Sequence, residues 1–131
     1  MTAPQTATEY VVLLHDDEKA WLSYGPEERA AAFALHGRFS ELCAQRGHTI
    51  TGGAELAPST TSRVLRRPDA HGPLAISEGP YAETVEQLGG YYVVRTADLD
   101  DLTELVGILI VEPGGAAEIR PVVDHSEEPT P

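Results

Sequence analysis

The sequence predicts an α+β fold in which one four-stranded sheet carries two helices on one face, with a hairpin inserted before the third sheet strand. Three observations lead there. Two unbroken apolar runs, Tyr10 to Leu14 (YVVLL) and Tyr91 to Val94 (YYVV), read as strands covered on both faces and therefore as the middle of the sheet. Two less apolar segments read as its rims: the half-polar His48 to Thr51, and Ala117 to Val123, where Pro121 removes one ladder donor. Between these strands lie two stretches of helical spacing. The order strand, long helix, strand, hairpin, strand, helix, strand, with the first and third sheet strands central, is that of a ferredoxin-like (βαββαβ) unit.

Each element has a local cause. The turn-rich HDDEKAW stretch follows the first strand, and Gly25-Pro26 then opens EERAAAFALHGRFSELCAQRG. Pro in the first turn, acids at the positive end of the dipole and Gly47 as the stop predict a long helix. At about 100° per residue, Leu35, Phe39, Leu42 and the stem of Arg46 form the stripe that lies on the sheet. Arg38, Glu41 and Gln45 point the other way. Ser62 to Arg66 and Leu74 to Ser77 pair as a hairpin around the Pro68 to Pro73 turn. In the stretch EGPYAETVEQLGG, Pro80 presets φ, Tyr81, Val85 and Leu88 share one helical face, and Gly89 supplies a stop. This predicts a short apolar helix pinned beside the sheet, which serves either as a tight connection between hairpin and central strand or as the wall of a pocket. Asp98 caps the second main helix, whose Leu99, Leu102, Leu105, Val106 and Leu109 recur at helical spacing until Glu112-Pro113-Gly114-Gly115 turns the chain.

The 131 residues suit one domain, expected over residues 9–123 with flexible ends at 1–8 and 124–131. A composition of 41% hydrophobic and 23% charged residues is globular. The net charge of −12, from 21 acidic against nine basic side chains, repels phosphate backbones and argues against nucleic acid as a partner. Cys43 is the only cysteine, which excludes an intramolecular disulfide. With no basic and apolar leader and no apolar run near the roughly 18 residues of a membrane span, a cytoplasmic protein without membrane contact is expected. One face of the sheet stays bare in a single chain, which predicts a homodimer closed sheet against sheet.

His36 falls at the margin of the long helix's stripe, able to face a cleft and to act as general acid or base near neutral pH. Glu78 is the candidate carboxylate to orient it, provided that the end of the hairpin folds over the helix; Glu55 is a second candidate and Asp124 a third. Tyr81 would line the pocket, and Arg63, with Arg66 and Arg67, forms the one basic cluster, an anion-binding candidate. Cys43 reads as a small core residue. His15, His48, His71 and His125 show no metal-ligand spacing, and G-x-G-x-x-G, P-loop and nucleophile-elbow patterns are missing from the sequence, so no metal or other cofactor is implied.

A Pro26-Glu27-Glu28-Arg29 helix bearing a His, Gly52-Gly53-x-x-Leu56, the run Gly79-Pro80-x-Ala82-Glu83-Thr84-x-Glu86-Gln87-Leu88-Gly89-Gly90-Tyr91-Tyr92 and then Asp98-Leu99-Asp100 follow one another. In this order they resemble the YCII-related family, specifically its DGPF branch, from Tyr10 to Val123. The chain departs from the branch pattern at Glu78, where Asp is usual, and at Tyr81, where Phe is usual. The resemblance implies a dimeric α/β barrel-like assembly and a pocket whose His, here His36, sits on the first long helix. Some relatives are lactone dehalogenases and others are encoded beside extracytoplasmic-function sigma factors. The leading expectation is therefore a protein that binds a small molecule, an organic acid or a lactone, with His36 transferring a proton. The rival is a non-catalytic interaction or regulatory module working with a sigma factor.

Overall fold

The computed structural model describes residues 6–111 and 113–126; of the ends expected to be flexible, Met1 to Gln5 and Glu127 to Pro131 lie outside the described residues. The chain runs β1 (Thr8–Asp17), α1 (Glu18–Ser23), α2 (Pro26–Gln45), β2 (Thr49–Glu55), a single 3-10 turn (Ser59–Thr61), β3 (Arg63–Arg66), β4 (Ala75–Glu78), β5 (Glu86–Thr96), α3 (Leu99–Gly107) and β6 (Ala116–Pro121). The main sheet has the order β2-β5-β1-β6 with every pair antiparallel, and β3 with β4 makes a separate two-stranded sheet. This α+β arrangement is consistent with a ferredoxin-like fold. The two unbroken apolar runs occupy the two central strands, and the Pro-bearing strand is at a rim.

The core forms where the helices meet one sheet face. Val12 and Leu14 of β1 and Val94 of β5 pack with Phe39 and Cys43 of α2 and with Leu102, Leu105 and Val106 of α3. Strand alternation then turns Val11, Leu13, Tyr91 and Val93 to the opposite face, where they are only half-buried. The long helix starts as its sequence demands: Pro26 takes the first helical position and Glu28 Oε1 accepts from the Gly25 N–H at 3.2 Å.

One end of the core is closed by a polar knot that sequence reading missed. His48, buried at the start of β2, shares a hydrogen bond through Nδ1 with Thr96 Oγ1 at 2.7 Å and donates from Nε2 to Asp101 Oδ2 at 2.6 Å. Arg46, just past the end of α2, bonds the other oxygen of the Asp101 carboxylate. The His48 and Arg46 hydrogen bonds hold the Asp101 carboxyl below its ordinary value. Two helices and two strands are thereby tied at one point, and no buried side-chain polar atom among the described residues lacks a partner.

Three expectations need correction. The short helix over residues 80–88 does not form: Glu86, Gln87 and Leu88 pair with Asp17, Asp16 and His15 as an extension of β5. Ladder bonds to a central strand outcompete one marginal helical turn, because an isolated turn nucleates poorly. Tyr81 at 75% and Val85 at 72% exposure staple nothing. Second, HDDEKAW is the end of β1 plus α1, whose first turn is capped by Asp17 accepting from the Ala20 N–H at 3.2 Å. Third, β2 runs on to Glu55, past a register shift between Ile50 and Gly52. There Gly53 is required, since a Cβ would sit 2.7 Å from the Tyr91 carbonyl oxygen.

Phe39→Ala is expected to cost about 3–5 kcal/mol, as for other fully buried aromatic side chains. Val85→Ala should stay within about 0.5 kcal/mol. Urea unfolding at constant m-value measures both; an equal loss at Val85 would reinstate the apolar staple.

Candidate functional site

The end of the sheet away from the polar knot opens into a cleft of about 730 Å³. Its walls are α1, the first half of α2, the ends of β1, β2 and β5, and Leu109 to Val111 with Pro113. Trp21 of α1 meets Tyr24 and Phe33 edge-on, at ring-centre distances of 5.5 and 6.0 Å, making an aromatic wall. The Arg29 guanidinium lies 4.9 Å over the Trp21 ring and donates to the Trp21 and Tyr24 carbonyls at 3.4 and 3.3 Å. Glu18 accepts from the Ser59 N–H and hydroxyl, both at 2.8 Å, and so ties α1 to the 3-10 turn.

His36 projects from α2 into this cleft. Its Nδ1 and the Tyr92 Oη are 2.6 Å apart, a hydrogen bond whose direction follows the imidazole tautomer. Tyr92 is on the helix-facing side of β5 with Val94, and its ring also packs on Phe39 at 5.1 Å. Burial lowers the His36 pKa, against the pull of the Asp16 and Glu55 carboxylates. Burial raises that of Asp16, against the pull of His36 and His15, and burial also raises that of the Tyr92 phenol. At neutral pH the imidazole is therefore neutral and the phenol protonated, with carboxylates close enough to act on His36 through space.

Among the residues singled out by sequence, His36 and Glu55 line the cleft, and Glu78, Tyr81 and Arg63 do not. Glu78 pairs across the hairpin with Arg63 and is exposed; Tyr81 is covered only by the Arg66 guanidinium, 5.1 Å above its ring. The condition set for Glu78 is not met, because β3 and β4 form their own sheet instead of folding over α2. Asp124 accepts from the Ser126 N–H at 2.8 Å, outside the cleft. Cys43 is buried in the core with its thiol pushed up to about 11, mainly by burial, which leaves it inert as a nucleophile. A second, flatter depression of about 510 Å³ over Ser40, Ala44 and His48 offers no free acid or base, since both His48 ring nitrogens are engaged.

Asp16, Tyr92 and Trp21 were missed. The signal for two of them was strand phase: Asp16 shares the alternation of Val12 and Leu14, as Tyr92 shares that of Val94, so both belong to the helix-facing side. Among the described residues no group of three or more His, Cys, Asp and Glu side chains is placed to hold a metal ion, and no helix is long and apolar enough to cross a membrane.

Comparison with known proteins matches residues 8–126 to the YCII-related domain. An uncharacterized protein of Rhizobium meliloti (strain 1021) is 30% identical over 120 residues, covering 86% of this chain and 90% of that protein.

Following the His36 ring by NMR over pH should give a pKa below the ordinary value of about 6.5. Asp16→Asn should lower it further, because the carboxylate that favours the imidazolium is gone. An upward shift in that variant would remove Asp16 from the site.

Proposed function

The chain belongs to the YCII-related domain family, and from that premise we propose that the cleft binds a small molecule and that His36 transfers a proton to or from it. The observation that carries this reading is the 2.6 Å contact of His36 Nδ1 with Tyr92 Oη in the wall of the cleft. When Nδ1 carries the ring proton it donates to Tyr92 Oη, Nε2 is a bare base, and the Tyr92 hydroxyl is left to donate to the ligand. Once Nε2 has taken a proton, the Nδ1–H···Oη bond is kept and the imidazolium Nε2–H is the acid that gives the proton back. One hydrogen bond thus serves both directions of proton transfer. Asp16 and Glu55 stabilise the imidazolium formed once Nε2 has taken a proton, while burial keeps the resting ring neutral and ready.

We propose further that two chains associate through the bare sheet face. Val11, Leu13, Tyr91 and Val93 supply a half-buried apolar centre there, and alternation sets Glu9, Arg95, Glu118 and Arg120 around it, a mixture of signs that suits a self-complementary two-fold contact. The rival reading as an interaction module draws support from the hairpin, where Leu65 and Ile76 pair across the strands at 57% and 65% exposure.

Turnover of a panel of neutral lactones and activated esters tests the chemistry. His36→Ala should lose about 100- to 10,000-fold in kcat/KM, the usual contribution of a positioned acid or base, with its circular dichroism spectrum unchanged. Wild-type rate should fall as pH drops through the lowered His36 pKa. If the folded variant turns over at the wild-type rate, or if no member of the panel is turned over, the catalytic reading is abandoned in favour of the interaction module. For the assembly, light scattering should show a dimer that Val93→Asp converts to a monomer; a wild-type monomer refutes it.

A further inference from the structure

We infer that the cleft selects a positively charged ligand, an amine carried on an aromatic or apolar body. This rests on the cleft being a binding site, as proposed above, but not on His36 being catalytic.

Among the described residues four carboxylates line the cleft, Asp16, Asp17, Glu18 and Glu55, against one guanidinium, Arg29. Two of the four are occupied: Asp17 caps α1, and Glu18 holds the N–H and hydroxyl of Ser59. Arg29 is occupied as well, by two backbone carbonyls and the Trp21 ring. His36 supplies no positive charge in compensation, because burial keeps its ring neutral at neutral pH. An entering carboxylate or phosphate would meet four negative charges, two of them on carboxylates with no donor, and no cation free to bond it.

An entering ammonium group meets the reverse. Among the described residues no hydrogen-bond donor reaches the Asp16 or Glu55 carboxylate, so both keep their acceptor capacity for a ligand. Taking Asp16 partly out of water without a donor is unfavourable for its charged form, the same physics that raises its pKa. An ammonium group placed beside it relieves that penalty. The rest of the wall suits what an amine would be attached to. Trp21, Tyr24 and Phe33 present aromatic surface, and Leu56, Leu109 and Val111 aliphatic surface. The Arg29 guanidinium already lies against the Trp21 ring, so the ligand's charged group belongs at Asp16 and Glu55 and its apolar body against the rest of the wall.

Trp21 is the only tryptophan of the chain, so its fluorescence reports on the cleft without labelling. The full chain at pH 7.5 is titrated separately with benzylamine, benzyl alcohol and benzoate, probes of one ring size that differ in charge. Benzylamine is expected to saturate at a concentration at least about 10-fold lower than either of the others, a difference of about 1.4 kcal/mol. In the Asp16→Asn, Glu55→Gln double variant the benzylamine curve should fall back onto that of benzyl alcohol, which also serves as the control for an intact pocket. Benzoate binding as tightly as benzylamine, a benzylamine advantage that survives in the double variant, or no saturable response to any probe overturns the inference. Failure here is separable from failure of the proton-transfer reading: the His36→Ala rates decide that one, and a charge-selective cleft with unchanged His36→Ala rates is a binding site without catalysis.

Discussion

The pairing of β1 with β5 is the constraint from which the rest follows. The two strands run antiparallel from Thr8↔Thr96 to Asp17↔Glu86, and the register slips once, between Leu14 and His15. Leu14 faces Gly90 and His15 faces Leu88, so Gly89 is the extra residue and the bulge lies on β5. Alternation along β1 is therefore undisturbed, and Asp16 stays in phase with Val12 and Leu14 on the helix-facing side. Beyond the bulge Gly90, Tyr92 and Val94 hold the same side of β5. Tyr92 and Asp16 thus reach His36 from one strand pair, fixed by backbone hydrogen bonds rather than by loops. Gly90 makes room where β2 and β5 approach: a Cβ there would come to 3.0 Å from the Ala54 carbonyl oxygen.

Helix α2 then spans two ends of opposite character. Phe39 and Cys43 anchor its middle in the core, Arg46 follows its last turn at the polar knot, and His36 faces the cleft about 15 Å earlier along the axis at 1.5 Å per residue. At the knot the shift of Asp101 is downward, so its ionised form favours the folded state above the ordinary carboxylate pKa, and that contribution is lost as pH falls through the lower folded value. At the cleft both signs oppose folding. His36 is shifted down, so below its ordinary value the unfolded chain binds the proton more readily and stability falls with pH. Asp16 is shifted up, so its ionisation above the folded pKa weighs against the fold. Charged groups stabilise one end of the molecule, and at the other, lining the cleft, their charged forms weigh against the fold.

What sequence could and could not convey divides along the same line. The central strands, α2 and the capped α3 were legible because each is a local pattern: an unbroken apolar run, a Gly-Pro start with a Gly stop, an Asp cap before leucines at helical spacing. His36 and Glu55 were legible as candidates by residue type and position. Residues 80–88 misled because Tyr81, Val85 and Leu88 fit a helical period by coincidence, while the force that decided their fate was pairing with Asp16 and Asp17, some 70 residues away in sequence. Glu78 failed for a related reason, since its place depends on where a hairpin docks and nothing local encodes that. Asp16 and Tyr92 required extending strand phase through a stretch that reads as a turn. The His48–Asp101 pair joins residues 53 positions apart, a separation that no local pattern encodes.

The tautomeric hydrogen bond and the charge of the ligand act on one another. A cation bound beside Asp16 and Glu55 neutralises the two carboxylates that favour the His36 imidazolium, and its own charge repels a proton on that ring, so both effects lower the His36 pKa further. By reciprocity, a proton on His36 weakens the binding of the cation by the same factor. An amine would consequently find the imidazole neutral and, by its arrival, hold it so, with Nε2 available as a base and the Tyr92 hydroxyl as a donor. A neutral ligand would leave the carboxylates unshielded and the ring easier to protonate, favouring the acid form. The same pair of side chains would serve as base toward one class of ligand and as acid toward the other, with the selection made by Asp16 and Glu55, neither of which touches the transferred proton.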